Sequence, residues 1–277
     1  MSSDNLTDVT TPLPPPAALR TLAAVRYGTP LREGGSLPAI VEGDDGATYV
    51  AKFRGAGQGT QALVPEIIVG TLARALGLRM PELVLLDLDA SFGRTEPDSE
   101  IRELLARSTG LNLGVAYLPG ALGFDPAALA GISGELASRI VMLDAFVMNV
   151  DRTARNPNLL WWQGELWLID HGAAMYFHHD WQGGTEGADR AFAMVRDHVL
   201  LTSAAALAAA GEDLVRALTD ETLRAAVALV PDAWLTAPSN VTTPAARRSE
   251  YFEYLRARRD APSTFIGEAI RARTLRV

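Results

Sequence analysis

Cysteine is absent from this 277-residue chain, and lysine nearly so: of 25 basic residues only Lys52 is lysine, and every other one is arginine. Without cysteine there can be no disulfide framework, no thiolate nucleophile and no thiolate-ligated metal. No apolar run approaches the roughly 20 residues that a membrane-spanning helix requires. Positive charge is short as well. The 33 acidic residues leave a formal charge of −8, so broad binding to nucleic acid or an anionic membrane lacks its usual electrostatic footprint. The N-terminus shows no charged-then-apolar leader, and the expectation is a cytoplasmic bacterial enzyme. With 48% hydrophobic and 21% charged residues, the chain can build two modest cores meeting at a cleft, or one continuous fold.

The solitary lysine raises the question of what arginine could not do at that position. Arginine is a flat, bulky fork, whereas lysine is a compact point charge suited to a phosphate or a Schiff base. Lys52 lies in Thr48-Tyr49-Val50-Ala51-Lys52-Phe53, after the run Leu37 to Glu42 and the turn Gly43-Asp44-Asp45-Gly46. Two short apolar runs around such a turn predict an antiparallel hairpin with Lys52 on its second strand, facing a cleft. Upstream, Gly34-Gly35-Ser36 would let backbone amides and a hydroxyl approach a phosphate. Apolar spacing from about Ala62 to Leu76 predicts a helix with Glu66 in its first turn. That carboxylate either holds the Lys52 ammonium, as in kinases, or serves the helix dipole.

A second group lies 100 residues downstream. Leu159 to Trp162 and Leu166 to Ile169 flank Gln163-Gly164-Glu165 and predict another tight hairpin, whose closure brings Asn156 and Asp170 to one end. An amide oxygen and a carboxylate are hard ligands of the kind that hold magnesium against nucleotide phosphates. Asp151, five positions before Asn156, is placed to reach a hydroxyl nucleophile. Asp-x-x-x-x-Asn, a hairpin, then Asp-x-Gly, with a lysine on an earlier strand, is the layout of phosphoryl transfer. Taken singly, Asp151 and Asn156 read equally as turn residues and Asp170 as a helix cap.

These pieces, together with Gly34-Gly35-Ser36-Leu37-Pro38 and Tyr49-Val50-Ala51-Lys52-Phe53, resemble the HipA-like kinases, distant relatives of protein and phosphatidylinositol kinases. The likeness spans about Thr21 to His179. It implies an α+β, two-lobed, protein-kinase-like fold with an antiparallel sheet plus helix in the N-lobe and a mainly helical C-lobe. The expected division is a mobile Pro-rich arm over 1–16, an N-lobe over 17–115, and hinge plus C-lobe over 116–277. It further implies ATP and Mg2+, with Lys52 on phosphate, Glu66 orienting it, Asp151 as catalytic base, Asn156 and Asp170 as metal ligands, and Gly34, Gly35 and Ser36 in a phosphate loop. Toxin members of the family are longer and pair with a DNA-binding antitoxin. This chain resembles a compact, stand-alone version, and its acceptor, a protein Ser/Thr or a small hydroxylated molecule, is not specified. His171 stands where many protein kinases carry an aromatic residue.

The strand Gly110 to Ala116 runs into a hinge, where Ala116, Tyr117 and Leu118 are placed at the adenine edge, although a Pro-Gly turn explains the same letters. Helices are expected over 134–149, 202–210, 213–229 and 247–259. Trp161, Trp162 and Trp167 read as packing residues and the arginine-rich tail as a solvated face paired with its glutamates. His178-His179-Asp180 has no third ligand at zinc spacing. Two other classes remain open: a pyridoxal-phosphate enzyme using Lys52, and a nucleotide-binding kinase-like module without transfer. Self-phosphorylation at Ser36 would provide a regulatory route.

Overall fold

The computed structural model describes residues 11–31, 37–179, 181, 183–236 and 243–276. Gly34, Gly35 and Ser36, expected in a phosphate loop, and Asp180 lie outside the described residues. The architecture is mixed α+β.

Five strands, β1 (Thr21–Pro30), β2 (Ala39–Gly43), β3 (Thr48–Lys52), β4 (Leu83–Leu88) and β5 (Gly110–Ala116), close into a barrel in the order β1-β2-β3-β5-β4. The expectation of an antiparallel sheet is thereby corrected. β1, a strand the sequence reading did not single out, pairs antiparallel with β2 but parallel with β4, placing Thr21 opposite Leu85. Parallel closure covers edges that an open sheet would present for stray pairing. Small inward residues permit so narrow a barrel: Ala24, Ala39 and Ala51 are buried, and a β-carbon at Gly114 would come within 2.6 Å of Val84 Cγ2. The alternation of β3 puts Tyr49 and Ala51 inside the barrel, which turns Val50 and Lys52 to the opposite side.

That opposite side is covered by α1 (Thr60–Ala75), a helix buried at every position from Leu63 to Ala73. It begins earlier than its apolar spacing predicts. Glu66 therefore sits in the second turn, not the first, and the helix-dipole explanation of this carboxylate does not apply. The N-terminal arm is tied to this helix in its described part, because Leu13 N–H donates to Arg74 O at 3.1 Å.

After α2 (Ser99–Arg107), capped by Asp98, the chain enters β6 (Leu122–Gly123), then α3 (Gly134–Val147), then the hairpin β7 (Leu159–Trp162) and β8 (Glu165–Leu168). The hairpin turn is the two residues Gln163-Gly164 at φ 52° and 80°, a type I′ geometry that suits the strand twist. Trp162 and Trp167 pack edge to face across it at 5.1 Å. The remaining helices are α4 (Leu207–Ala217), α5 (Asp220–Ala228), α6 (Pro244–Asp260) and α7 (Pro262–Thr274). One helix over 213–229 was expected. The chain instead breaks at Leu218, and the Thr219 hydroxyl caps a new helix by accepting from Thr222 N–H.

The interior of the barrel forms one apolar cluster with α2, whereas α1 and the outward side of β4 and β5 share a larger continuous core with α3 to α7. Two features fix the C-terminal end of α3 in this core. Met148, at φ 53°, terminates α3 in left-handed conformation. Arg258 of α6, fully buried, caps the same helix end by donating to Ala145 O and Phe146 O at 2.8 and 2.6 Å. The other tail arginines largely pair with carboxylates, as in Arg271 with Glu268 and Arg256 with Glu253. No helix among the described residues is long and apolar enough to cross a membrane.

His178 is buried against α6, its Nδ1 3.1 Å from the Tyr251 hydroxyl. Burial, then the charges of His179 and Arg247, push its pKa down to about 3. Because the unfolded chain protonates first, the stabilising contribution is complete above about pH 6.5 and declines as pH falls toward 3. Urea unfolding should show roughly 2 kcal/mol lost between pH 7 and 5 through this ring. His178→Gln should remove that part of the pH dependence; an identical loss in both proteins would refute the assignment.

Candidate functional site

Lys52, set on the α1-facing side of β3, extends between two carboxylates. Its ammonium pairs with Glu66 Oε1 and lies 2.8 Å from Asp170 Oδ1, joining residues 118 positions apart. Glu66 is closed off from solvent, whereas 48% of the Asp170 side chain is exposed, so the cluster opens to solvent on the Asp170 side. Burial opposes the lysine charge, but Glu66 and Asp170 more than offset it and the pKa rises. Burial pushes Glu66 up against the pull of Lys52. For Asp170, the burial penalty is outweighed by Lys52, and its pKa falls to about 2. An ammonium paired with two carboxylates is a poor Schiff-base nucleophile.

Asp151 follows α3 on a loop built by side-chain contacts. The buried Asp144 accepts from Asn149 Nδ2 at 2.9 Å, and Asn149 Oδ1 in turn accepts the Asp151 N–H at 3.1 Å. Asp151 Oδ2 accepts from Asn156 Nδ2 at 2.7 Å and lies 3.5 Å from Asn158 Nδ2. Ile169 N–H donates to Asn158 O at 3.1 Å, so the loop carrying Asp151 and Asn156 and the segment entering Asp170 are stitched at one end of the β7–β8 hairpin. The structure thus joins Lys52, Glu66 and Asp170 directly, pairs Asp151 with Asn156, and connects the two groups through the hairpin.

Asn156 Oδ1 and Asp170 Oδ2 have no hydrogen-bond donor among the described residues. Two hard oxygens suit a magnesium ion that draws its remaining ligands from phosphate and water. They do not make a protein-only cage: no cluster of three or more His, Cys, Asp or Glu that could hold a metal occurs among the described residues.

At the end of β5, where a hinge was expected, Ala116 N–H donates to Glu82 O at 2.8 Å and Tyr117 N–H to Thr48 O at 3.0 Å. Both amides are therefore committed to the barrel. Leu118 is buried, and its N–H has no backbone acceptor among the described residues. Tyr117 is 45% exposed and lines a recess of about 490 Å³ with Arg20, Asp45, Tyr49 and Glu82, a set that includes none of the Lys52 cluster.

Residues 26–262 match the HipA-like kinase family. The chain belongs to the HipA-like kinases. As a member it is a kinase enzyme, and its fold is similar to that of the Helicobacter pylori proinflammatory kinase CtkA. That similarity has a TM-score of 0.57 at 11% identity, over 92% of this chain and 99% of the other. The Golgi casein kinase aligns with TM-score 0.46 at 11% identity, and its form with Mn/ADP bound with 0.45 at 12%; each covers 98% of this chain and 76% of the other. No curated protein matches the sequence.

This HipA-like kinase also contains a buried network that motif reading missed. Asp144 Oδ2 accepts from Arg152 Nε at 2.5 Å and from His198 Nε2 at 2.9 Å. Burial alone would raise the Asp144 carboxyl; Arg152 and His198 overcome it and hold the group well below the usual range. Asp144 carries no signal in sequence, since it is one polar letter within a helix of apolar ones. Arg152 and His171 were visible beside Asp151 and Asp170, but their partners were not.

Proposed function

We propose that this chain is a two-lobed phosphotransferase that moves the γ-phosphate of ATP, with Mg2+, to a hydroxyl acceptor, a serine or threonine of a protein. The barrel with α1 forms the N-lobe over 17–115 and the helical remainder, from the hinge, the C-lobe over 116–277. The observation that carries this reading is the Lys52 ammonium held between Glu66 and Asp170 while Asp151 and Asn156 pair at the adjoining hairpin end.

In this reading Lys52, oriented by Glu66, holds the phosphates, and Gly34, Gly35 and Ser36, which lie outside the described residues, are assigned to a phosphate loop from the sequence alone. The free Leu118 N–H donates to the adenine edge, with Ala116 and Tyr117 supplying flanking backbone. Asn156 and Asp170 hold the divalent ion, which when bound neutralises charge developing on the phosphates. Asp151, aimed by the amides of Asn156 and Asn158, takes the proton of the attacking hydroxyl. Arg155, exposed and without an ion pair among the described residues, is available to the acceptor or the transferring phosphate. A half-exposed base beside an exposed loop supports a polypeptide acceptor, because the hydroxyl can be delivered on a side chain from solvent. A cytoplasmic setting accords with the need for ATP.

The test is intact mass and peptide mapping after incubation with ATP and magnesium, alone and with generic protein acceptors, alongside ATP hydrolysis. Phosphate on the protein, on an acceptor, or released as inorganic phosphate supports catalysis. Nucleotide binding without any of the three would instead indicate a non-catalytic module.

A further inference from the structure

Arg152 neighbours the proposed base, yet its side chain is fully buried. Its guanidinium is divided among three segments of the chain. Nε donates to Asp144 of α3; one terminal nitrogen donates to Asn158 O at 2.5 Å, with Ile169 O at 3.4 Å; the other meets His171 Nδ1 at 3.0 Å. Arginine has no acceptor, so His171 Nδ1 must accept, and the proton of the neutral ring must reside on Nε2. Nε2–H then points to Met80 Sδ at 3.3 Å, while the backbone N–H of His171 donates to Glu66 Oε2 at 3.0 Å. Each polar atom of this residue's ring and amide is therefore assigned.

Ile169 and His171 bracket Asp170, which sits at φ 54°. A non-glycine residue holds the left-handed region only when its surroundings impose it. The contacts on both flanks supply that constraint. We propose that Arg152 and His171 act as positioning residues, a polar clamp that fixes Asp170 toward Lys52 and, through the His171 amide, keeps Glu66 in register with both. The clamp takes the place of an aromatic residue that packs between aspartate and glycine by shape alone. Its consequence for turnover rests on the kinase reading; the clamp itself rests on geometry.

The clamp makes an expectation opposite to simple resemblance. His171→Phe installs the residue common in protein kinases, yet it deprives a buried arginine of one of its acceptors. Transfer should fall roughly tenfold or more in kcat/KM, the size expected for one lost charge-assisted hydrogen bond, with a rise in KM for Mg-ATP. His171→Asn places an amide oxygen near the position of Nδ1 and should recover most of the loss, whereas His171→Gln, reaching toward the Nε2 side, should not. Parental kcat and KM in His171→Phe, or an Asn variant as impaired as the Phe variant, would overturn the clamp.

Nitrogen-15 spectra of the parental protein provide a readout that needs no active variant. The chain has four histidines, and the signal missing from His171→Asn identifies the one in question. An Nε2–H tautomer with Nδ1 unprotonated supports the clamp, and an Nδ1–H tautomer overturns it. A parental protein that shows this tautomer but transfers no phosphate would defeat the kinase reading and leave the clamp standing.

Discussion

Asp151→Asn should preserve Mg-ATP binding and reduce transfer by roughly 10²- to 10⁴-fold, the range attributable to one general base. The substitution is isosteric and exchanges an oxygen for an NH2 where Asp151 Oδ2 now accepts from Asn156 Nδ2. The loop itself should persist, because the Asp151 N–H is held independently by Asn149 and that residue by Asp144. The loss should therefore appear in kcat with little change in nucleotide affinity, the signature of an interaction made in the transition state. Single-turnover transfer measured beside equilibrium nucleotide binding separates the two. A variant with parental turnover would show that another group takes the proton.

Lys52→Met should damage the fold as well as the chemistry. Methionine matches the stem but leaves the buried Glu66 facing Asp170 with no cation between them. Removing one partner of a buried ion pair costs about 3–5 kcal/mol, and Glu66 would have to take up a proton. Loss of the phosphate contact should lower kcat/KM by roughly 10²- to 10³-fold. Lys52→Arg should fail to restore activity, because the side chain is only 14% exposed and a planar fork cannot fit between the two carboxylates. The double change Lys52→Met with Glu66→Gln separates the effects: it should recover stability but not transfer. Unchanged melting and unchanged Mg-ATP affinity in Lys52→Met would remove the lysine from the site.

Much of this site was legible because its parts are local. Asp151 and Asn156 occupy one loop, and a hairpin with a glycine-containing turn returns the chain to Asp170. Some elements read from apolar spacing were also recovered within a few residues, including α3 and both hairpins, whereas the helix expected over 202–210 forms instead at Leu207–Ala217. The misses share a cause. β1 exposes most of its residues and so shows little periodicity. The break before α5 is set by the Thr219 cap, and Glu66 was assigned to the wrong turn because Thr60 and Gln61 extend α1 beyond its apolar stripe. Spacing of apolar letters marks burial; it does not mark where hydrogen bonding begins.

By itself the sequence determined the chemical kind of the site: one compact ammonium, hard oxygens at loop spacing, no thiol, and an acidic surface unsuited to general polyanion binding. Those properties belong to side chains and short-range turns, which composition and order already specify. Only the tertiary structure decided that Lys52 lies between Glu66 and Asp170, that two hinge amides are already occupied, and that Arg152 reaches His171. Such contacts depend on how a closed barrel packs over α1 and the helical core, and hydrogen bonds between distant residues leave no period in the chain.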